Sequence, residues 1–249
     1  MRLQKSTGNC LYQERILLYM NYDSVPLRDF KELNDWETVI FVYQSALKQV
    51  ETKIDILNGE FQHRHKYNPI EHVKSRIKTP ESIVKKLKRH GYESSIENMV
   101  RYVNDIAGIR ISCSFTSDIY LIADMISKQN DLTILARRDY MKNPKKSGYR
   151  SYHMLVTTPV FLSDSIIDTK VEIQIRTVAQ DFWATLEHKM HYKFEGDGPD
   201  YITKELRECA RYVAELDTRM EELNNEIQKY GKLSDRALEK LNSQNIAKI

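Results

Sequence analysis

Two short stretches carry residue types that together could do chemistry. Tyr149-Arg150-Ser151-Tyr152-His153 follows a basic loop, Lys145-Lys146-Ser147-Gly148, and joins aromatic rings, a guanidinium and an imidazole. Val171-Glu172-Ile173-Gln174-Ile175-Arg176 alternates, so one face would show Glu172, Gln174 and Arg176. A stacking surface, phosphate-binding charge and one acid suit a nucleotide site with metal-assisted phosphoryl chemistry. Upstream, Lys74, Arg76 and Lys78 alternate with Val73, Ser75 and Ile77, which puts three cations on one strand face. Thr79-Pro80-Glu81 then opens a helix, whose N-terminus favours polyphosphate. Asp105 precedes Ile106-Ala107-Gly108-Ile109-Arg110, a position suited to a magnesium ligand near phosphates.

Each segment has a plainer reading. The three cations also fit a solvated sheet face, Asp105 a turn cap, Tyr149 core packing, and Glu172 a charged edge strand. Apolar Val171, Ile173 and Ile175 argue instead for a central strand, where a buried Glu needs a partner. Most of Lys85, Lys86, Lys88 and Arg89 read as a helix's wet side, and Phe182, Trp183 and Leu186 as core. Glu187-His188 is half of a zincin motif, but the following Lys189-Met190-His191 does not complete HExxH. Neither GxxxxGK[ST] nor GxGxxG occurs, which removes the P-loop and Rossmann readings.

The elements that must hold these residues follow from periodicity. Steps of three and four from Trp36 to Phe61 predict a long amphipathic helix over 34–65, capped by Asn34 or Asp35. Strands are expected at 70–78, 109–115, 132–137, 150–157 and 170–176. Helices are expected to about Gly91, over 95–103, from Ser117-Asp118 to about Lys128, and from Thr177 to about His191. Pro199-Asp200 begins a last long helix through Leu206, Ala210, Val213, Leu216, Met220, Leu223 and Ile227. The fold class is thus α/β (α+β), a mixed sheet of about five strands flanked by helices.

Bulk properties exclude several classes. With 249 residues the chain can bury a full core, and 41% hydrophobic with 29% charged residues fits a globular protein. A net charge of +3 is too small to argue for wholesale nucleic-acid binding, and none is expected as a partner. Cys10, Cys113 and Cys209 show no CxxC spacing, which fits a reducing cytosol. No apolar run approaches the roughly 18–20 residues of a membrane span, so no membrane partner is expected. Residues 1–33 read as an extension, with Met20 a possible native start, and 231–249 as a tail.

Taken together, Ser75-Arg76-Ile77-Lys78, Asp105 through Arg110, Gly148 through His153, Glu172 through Arg176 and Trp183-Ala184-Thr185-Leu186-Glu187-His188 resemble the (p)ppGpp synthetase domain of the RelA/SpoT family. The resemblance spans Trp36 to Tyr230, so a synthetase domain is placed at 34–230. No His-Asp dipeptide occurs, so the family's hydrolase metal site is missing. The chain looks like a single-domain small alarmone synthetase, closer to the RelP type than to RelQ.

That resemblance implies a nucleotidyltransferase-like fold and a cytoplasmic GTP diphosphokinase. The 3′-hydroxyl of GDP or GTP attacks the β-phosphorus of ATP, pyrophosphate moves, and AMP leaves. It implies Mg2+ as cofactor, ATP and GDP/GTP as partners, and a homotetramer built on the terminal helices. Asp105 and Glu172 would be the catalytic acids and metal ligands. Arg76 and Arg110 would sandwich adenine, with Lys78 and Arg150 on the donor phosphates. Tyr149 would stack on guanine. Arg138, Lys145 and His153 would meet the acceptor's phosphates, and Gln174 its ribose or base. Lys53, on the long helix, would reach phosphate. Asp181 replaces an Asn of the RelQ guanine pocket and would accept guanine N–H groups. Lys74 lies where RelQ has part of an allosteric cleft, which argues against product activation. Alternatives are a toxic synthetase acting on adenine nucleotides or tRNA, and a non-catalytic nucleotide- or RNA-binding regulator.

Overall fold

In the computed structural model, residues 35–193 and 200–246 are described, with side chains for 35–190 and 201–230. The 1–33 extension, the Met20 start and Pro199 lie outside the described residues. Six helices and five strands are present among them.

Helix α1, Trp36–His65, begins where Asp35 accepts the Thr38 N–H at 2.7 Å. It ends at Lys66, in a left-handed conformation. Val39, Val42, Tyr43, Ala46, Leu47, Val50 and Ile54 form its buried stripe. Each such apolar side chain contributes roughly 1.5–3 kcal/mol on burial. The helices α2 (Pro80–Arg89) and α3 (Ile96–Tyr102) are capped by Thr79 and Ser95. Helix α4, Thr116–Ser127, starts one residue before the expected cap, and Asp118 accepts the N–H of Phe115. Helix α5, Val178–Lys193, opens on a capping box: Thr177 Oγ1 accepts the Gln180 N–H and Gln180 Oε1 accepts the Thr177 N–H. The last helix, α6, runs from Asp200 to Ile246, past the expected end of the domain at 230.

Strands β1 (Ile70–Ile77), β2 (Ala107–Cys113), β3 (Thr133–Asp139), β4 (Tyr152–Phe161) and β5 (Ile166–Thr177) form one sheet in the order β1-β2-β5-β4-β3. β2 and β5 are parallel; every other neighbouring pair is antiparallel. The last strand in sequence therefore lies at the centre, as the apolar alternation of Val171, Ile173 and Ile175 predicted. These residues, with Ile109, Ile111, Met154 and Val156, belong to one buried core together with the stripe of α1.

Candidate active site

Register does most of the positioning. One row across the sheet reads Lys74, Arg110, Gln174, His153, Arg138; the next reads Arg76, Gly108, Glu172, Leu155, Ala136. Residues paired across neighbouring strands share a face, so three strands offer cations, one an imidazole and one an acid to one surface. Gly108 sits between Arg76 and Glu172. A Cβ built there would meet only the Arg76 carbonyl oxygen, at 4.0 Å, so the glycine leaves open space beside the acid. Helix α5 covers the far side. The result is a cavity of about 680 Å³, within the usual range for small-molecule sites.

Arg76, Asp105, Arg110, Arg138, Lys145, Tyr149, His153, Glu172 and Gln174 all line this cavity. Lys78 joins through Asp105, its Nζ lying 3.0 Å from Oδ2. Lys86 takes the other oxygen, Nζ to Oδ1 at 2.7 Å. Burial pushes the Asp105 carboxyl up, but Lys86 and then Lys78 outweigh it and hold the pKa at about 2. Asp105 is thus an ionised acid inside a cationic cluster, not a turn cap.

Glu172 sits at the other side of the gap. Its Oε2 accepts the Gln174 Nε2–H at 2.8 Å, and its Oε1 lies 3.6 Å from His153 Nδ1. Burial alone would raise its pKa; His153 and Gln174 outweigh that and lower it below the ordinary value. Arg176 donates to the Tyr149 hydroxyl oxygen at 3.1 Å, and that hydroxyl shares a hydrogen bond with His153 Nε2 at 2.8 Å. The Glu172 carboxylate beside Nδ1 favours the tautomer with its proton there, in which the Tyr149 O–H donates to Nε2. Burial lowers the His153 pKa, consistent with a neutral ring. The Lys145 ammonium stands 4.7 Å from the centre of the Tyr149 ring.

Gly148 presents Tyr149. Its φ of 91° favours glycine, and a Cβ would lie 2.5 Å from the Ala210 Cβ of α6. The loop therefore rests directly on that helix. Trp183 Nε1 donates to the Leu206 carbonyl, and Asp217 accepts from Thr177 Oγ1 and Gln180 Nε2, so α5 and α6 are fastened beside the loop.

Several expectations need correction. Arg150 does not line the cavity; its guanidinium donates to the Met141 carbonyl at 2.8 Å. Lys53 pairs with Asp131 at 2.8 Å, away from the site. Asp181 is buried behind the cavity wall rather than in it. Phe182 is exposed, while its neighbour Trp183 is core. Lys86, placed on the wet side of its helix, is mostly buried against Asp105.

The sequence pattern also left Lys170 unnoticed. It is 4% exposed, and donates to Asn104 Oδ1 at 2.7 Å and to the Arg101 carbonyl at 3.1 Å. Burial pulls its pKa down to about 8. Its even spacing with Glu172 and Gln174 was the available signal. Helix α5 adds Thr185, Glu187, His188 and Lys189 to the lining. The Glu187-His188 pair thus belongs to the cavity without forming a zinc set, and no cluster of three metal-ligating side chains occurs among the described residues.

The family described as the region found in RelA / SpoT proteins matches residues 75–197. The GTP pyrophosphokinase YwaC of Bacillus subtilis (strain 168) is 45% identical over 195 residues, covering 78% of this chain and 93% of that protein. The small alarmone synthetase 1 of Bacillus subtilis bound to its product pppGpp superposes with a TM-score of 0.72 at 34% identity, covering 78% of this chain and 98% of that one. The same synthetase bound to AMPCPP gives 0.68 at 32%, with the same coverage.

Proposed function

The chain belongs to the RelA/SpoT family and is a GTP pyrophosphokinase that makes (p)ppGpp, and on that premise we propose how its cavity divides between two nucleotides. ATP takes the β1–β2 side. The planar guanidinium groups of Arg76 and Arg110 hold adenine, as such groups stack on flat rings, while Lys78 and Lys86 face the phosphates. GDP or GTP takes the β3–β4 side. Its base stacks on Tyr149, displacing the Lys145 ammonium toward the acceptor phosphates, where Arg138 adds charge. Gln174 lies within reach of the ribose. The observation that carries this reading is the row Arg76, Gly108, Glu172, which sets the acid at an open gap between the two sides.

In the reaction, the 3′-hydroxyl oxygen forms a bond to the β-phosphorus. The bond from that phosphorus to the oxygen bridging the α-phosphate breaks, and AMP departs with it. Glu172 takes the hydroxyl proton, and His153 holds the carboxylate in place. Both His153 nitrogens are engaged, so its assignment moves from acceptor phosphate to this acid. Phosphoryl transfer of this kind depends mainly on positioning and charge neutralisation.

The two acids fit Mg2+, a hard ion that takes one or two carboxylates together with phosphate oxygens and water. Asp105 and Glu172 would hold it, and it would supply charge neutralisation at the transferred group. Incubation with ATP, Mg2+ and each guanine nucleotide, followed by chromatography, tests the reading. AMP and a 3′-pyrophosphorylated guanosine are expected; absence of any product removes the assignment. A product from adenine nucleotides or tRNA alone would favour the toxic synthetase.

Tyr149→Ala is expected to raise the KM for GDP by about tenfold to a hundredfold, from a stacking loss of about 1–3 kcal/mol per base. The KM for ATP should change by less than about threefold. Steady-state kinetics with each nucleotide varied in turn would show it, and an unchanged acceptor KM removes the stacking role.

We place the enzyme in the cytoplasm, in keeping with cysteines unsuited to a disulfide framework. No helix among the described residues is long and apolar enough to cross a membrane. Self-assembly covers a stripe on α6: Leu216, Met220, Leu223 and Ile227 are 47–67% exposed and recur at steps of four and three. A homotetramer is the assembly the family resemblance implies. Light scattering is expected to show an oligomer that Leu223→Lys dissociates; a monomeric parent chain rejects it.

A further inference from the structure

Behind the cavity wall, one carboxylate collects charge from three elements. The Asp181 side chain, on α5, is 8% exposed. Its Oδ1 lies 3.3 Å from Arg110 Nη1 of β2 and 3.6 Å from Arg176 Nη1 of β5. Its Oδ2 lies 3.8 Å from His72 Nε2 and 3.9 Å from Lys74 Nζ, both of β1. These are charge pairs rather than hydrogen bonds, since Asp181 Oδ1 and the Nε atoms of Arg110 and Arg176 have no hydrogen-bond partner. The cations exceed the single acid. Arg110 and Arg176 repel one another, and Arg176 is 2% exposed, so solvent screens it little.

The two arginines lead to different subsites. Arg110 lines the donor side of the cavity. Arg176 donates to the Tyr149 hydroxyl and, at 2.6 Å, to Gln174 Oε1 on the acceptor side. The carboxylate that offsets their repulsion therefore fixes one guanidinium in each half. Its Oδ1 is buried, and Asp181 is not among the residues that line the cavity, where guanine would have to reach it.

We propose that Asp181 is a positioning residue shared by the two nucleotide subsites, coupling them through Arg110 and Arg176, and does not read guanine. The proposal rests on the two-nucleotide division given above. A parent chain that makes no product from ATP and GDP would fail that division, not this coupling, so its activity is measured first.

Asp181→Asn is then compared with the parent for ATP, GDP and IDP, which lacks the guanine 2-amino group. The expected result is a rise in KM of about tenfold for both ATP and GDP, following loss of an ion-pair partner for two buried cations. The preference for GDP over IDP should stay within about twofold of the parent, because no guanine contact is lost. A rise confined to the guanine nucleotide, with that preference gone, would overturn the proposal and make Asp181 a guanine ligand. KM values for both nucleotides within about twofold of the parent would overturn it too. A second variant needs no change at Asp181. Arg110→Gln should raise the KM for GDP as well as for ATP, because it leaves Asp181 to Arg176 alone. An unchanged GDP KM in that variant rejects the coupling.

Discussion

Glu172→Gln is expected to lower kcat by about 10³-fold, within the range general-base catalysis contributes, while the Kd of each nucleotide stays within about threefold. The amide keeps the size of the side chain and an oxygen that can accept from Gln174, so the hydrogen bond at 2.8 Å can survive. What it loses is the charge proposed to take the 3′-hydroxyl proton. His153 and Gln174 favour that charge against burial, so its removal costs some stability, and urea unfolding of the variant checks that it is folded before kcat is compared. Single-turnover chromatography of AMP formation, paired with calorimetric titration of each nucleotide, separates chemistry from binding. Turnover within about tenfold of the parent would take Glu172 out of its assigned role.

Asp105→Asn should cost both activity and stability, for one electrostatic reason. Lys78 and Lys86 meet on this carboxylate, and in the variant only one of the two ammonium groups meets an amide oxygen while the other faces an NH2 donor. The loss of a fixed charge at the phosphates should lower kcat by about 10²–10³-fold. Asp105 has a folded pKa of about 2, depressed from the ordinary value near 4. Its contribution to stability is therefore present above about pH 4 and is lost as pH falls toward about 2. That contribution is on the order of 2 kcal/mol. Urea unfolding of the parent and variant at pH 6 should show a gap of that size, and at pH 3 a smaller one. A gap independent of pH would mean that the two lysines do not set the charge of Asp105.

Much of this site is legible in the sequence because strands declare their faces. Period-two spacing by itself puts Glu172 with Gln174, and Arg76 with Lys78. The parallel pairing that lays Gly108 beside Glu172 is not readable that way, since register depends on a partner strand far off in the chain. Strand ends are hidden for the same reason. β4 continues beyond Thr157 through Pro159 to Phe161, which pairs with Ile166. Pro159 is tolerated there because β3 pairs no further than Thr157, leaving its nitrogen on an open edge. Most residues singled out by resemblance line the cavity. Arg150 and Asp181 do not: the first is held by the Met141 carbonyl and the second is buried by packing, and neither contact is visible in the sequence. Lys86 escapes because one helix turn looks equally wet whether or not an acid from a later loop folds over it.

The strand order has a consequence for how the enzyme comes into being. β5 is the last strand to leave the ribosome and the middle one in space, and it brings Glu172, Gln174 and Arg176. A nascent chain that has emerged only as far as β4 has β2 and β4 with a vacant slot between them, and no Glu172 at the gap. Filling that slot requires contacts distant in sequence, which form slowly. The site thus stays incomplete until β5 is in place, and a product interrupted before β5 lacks Glu172 altogether.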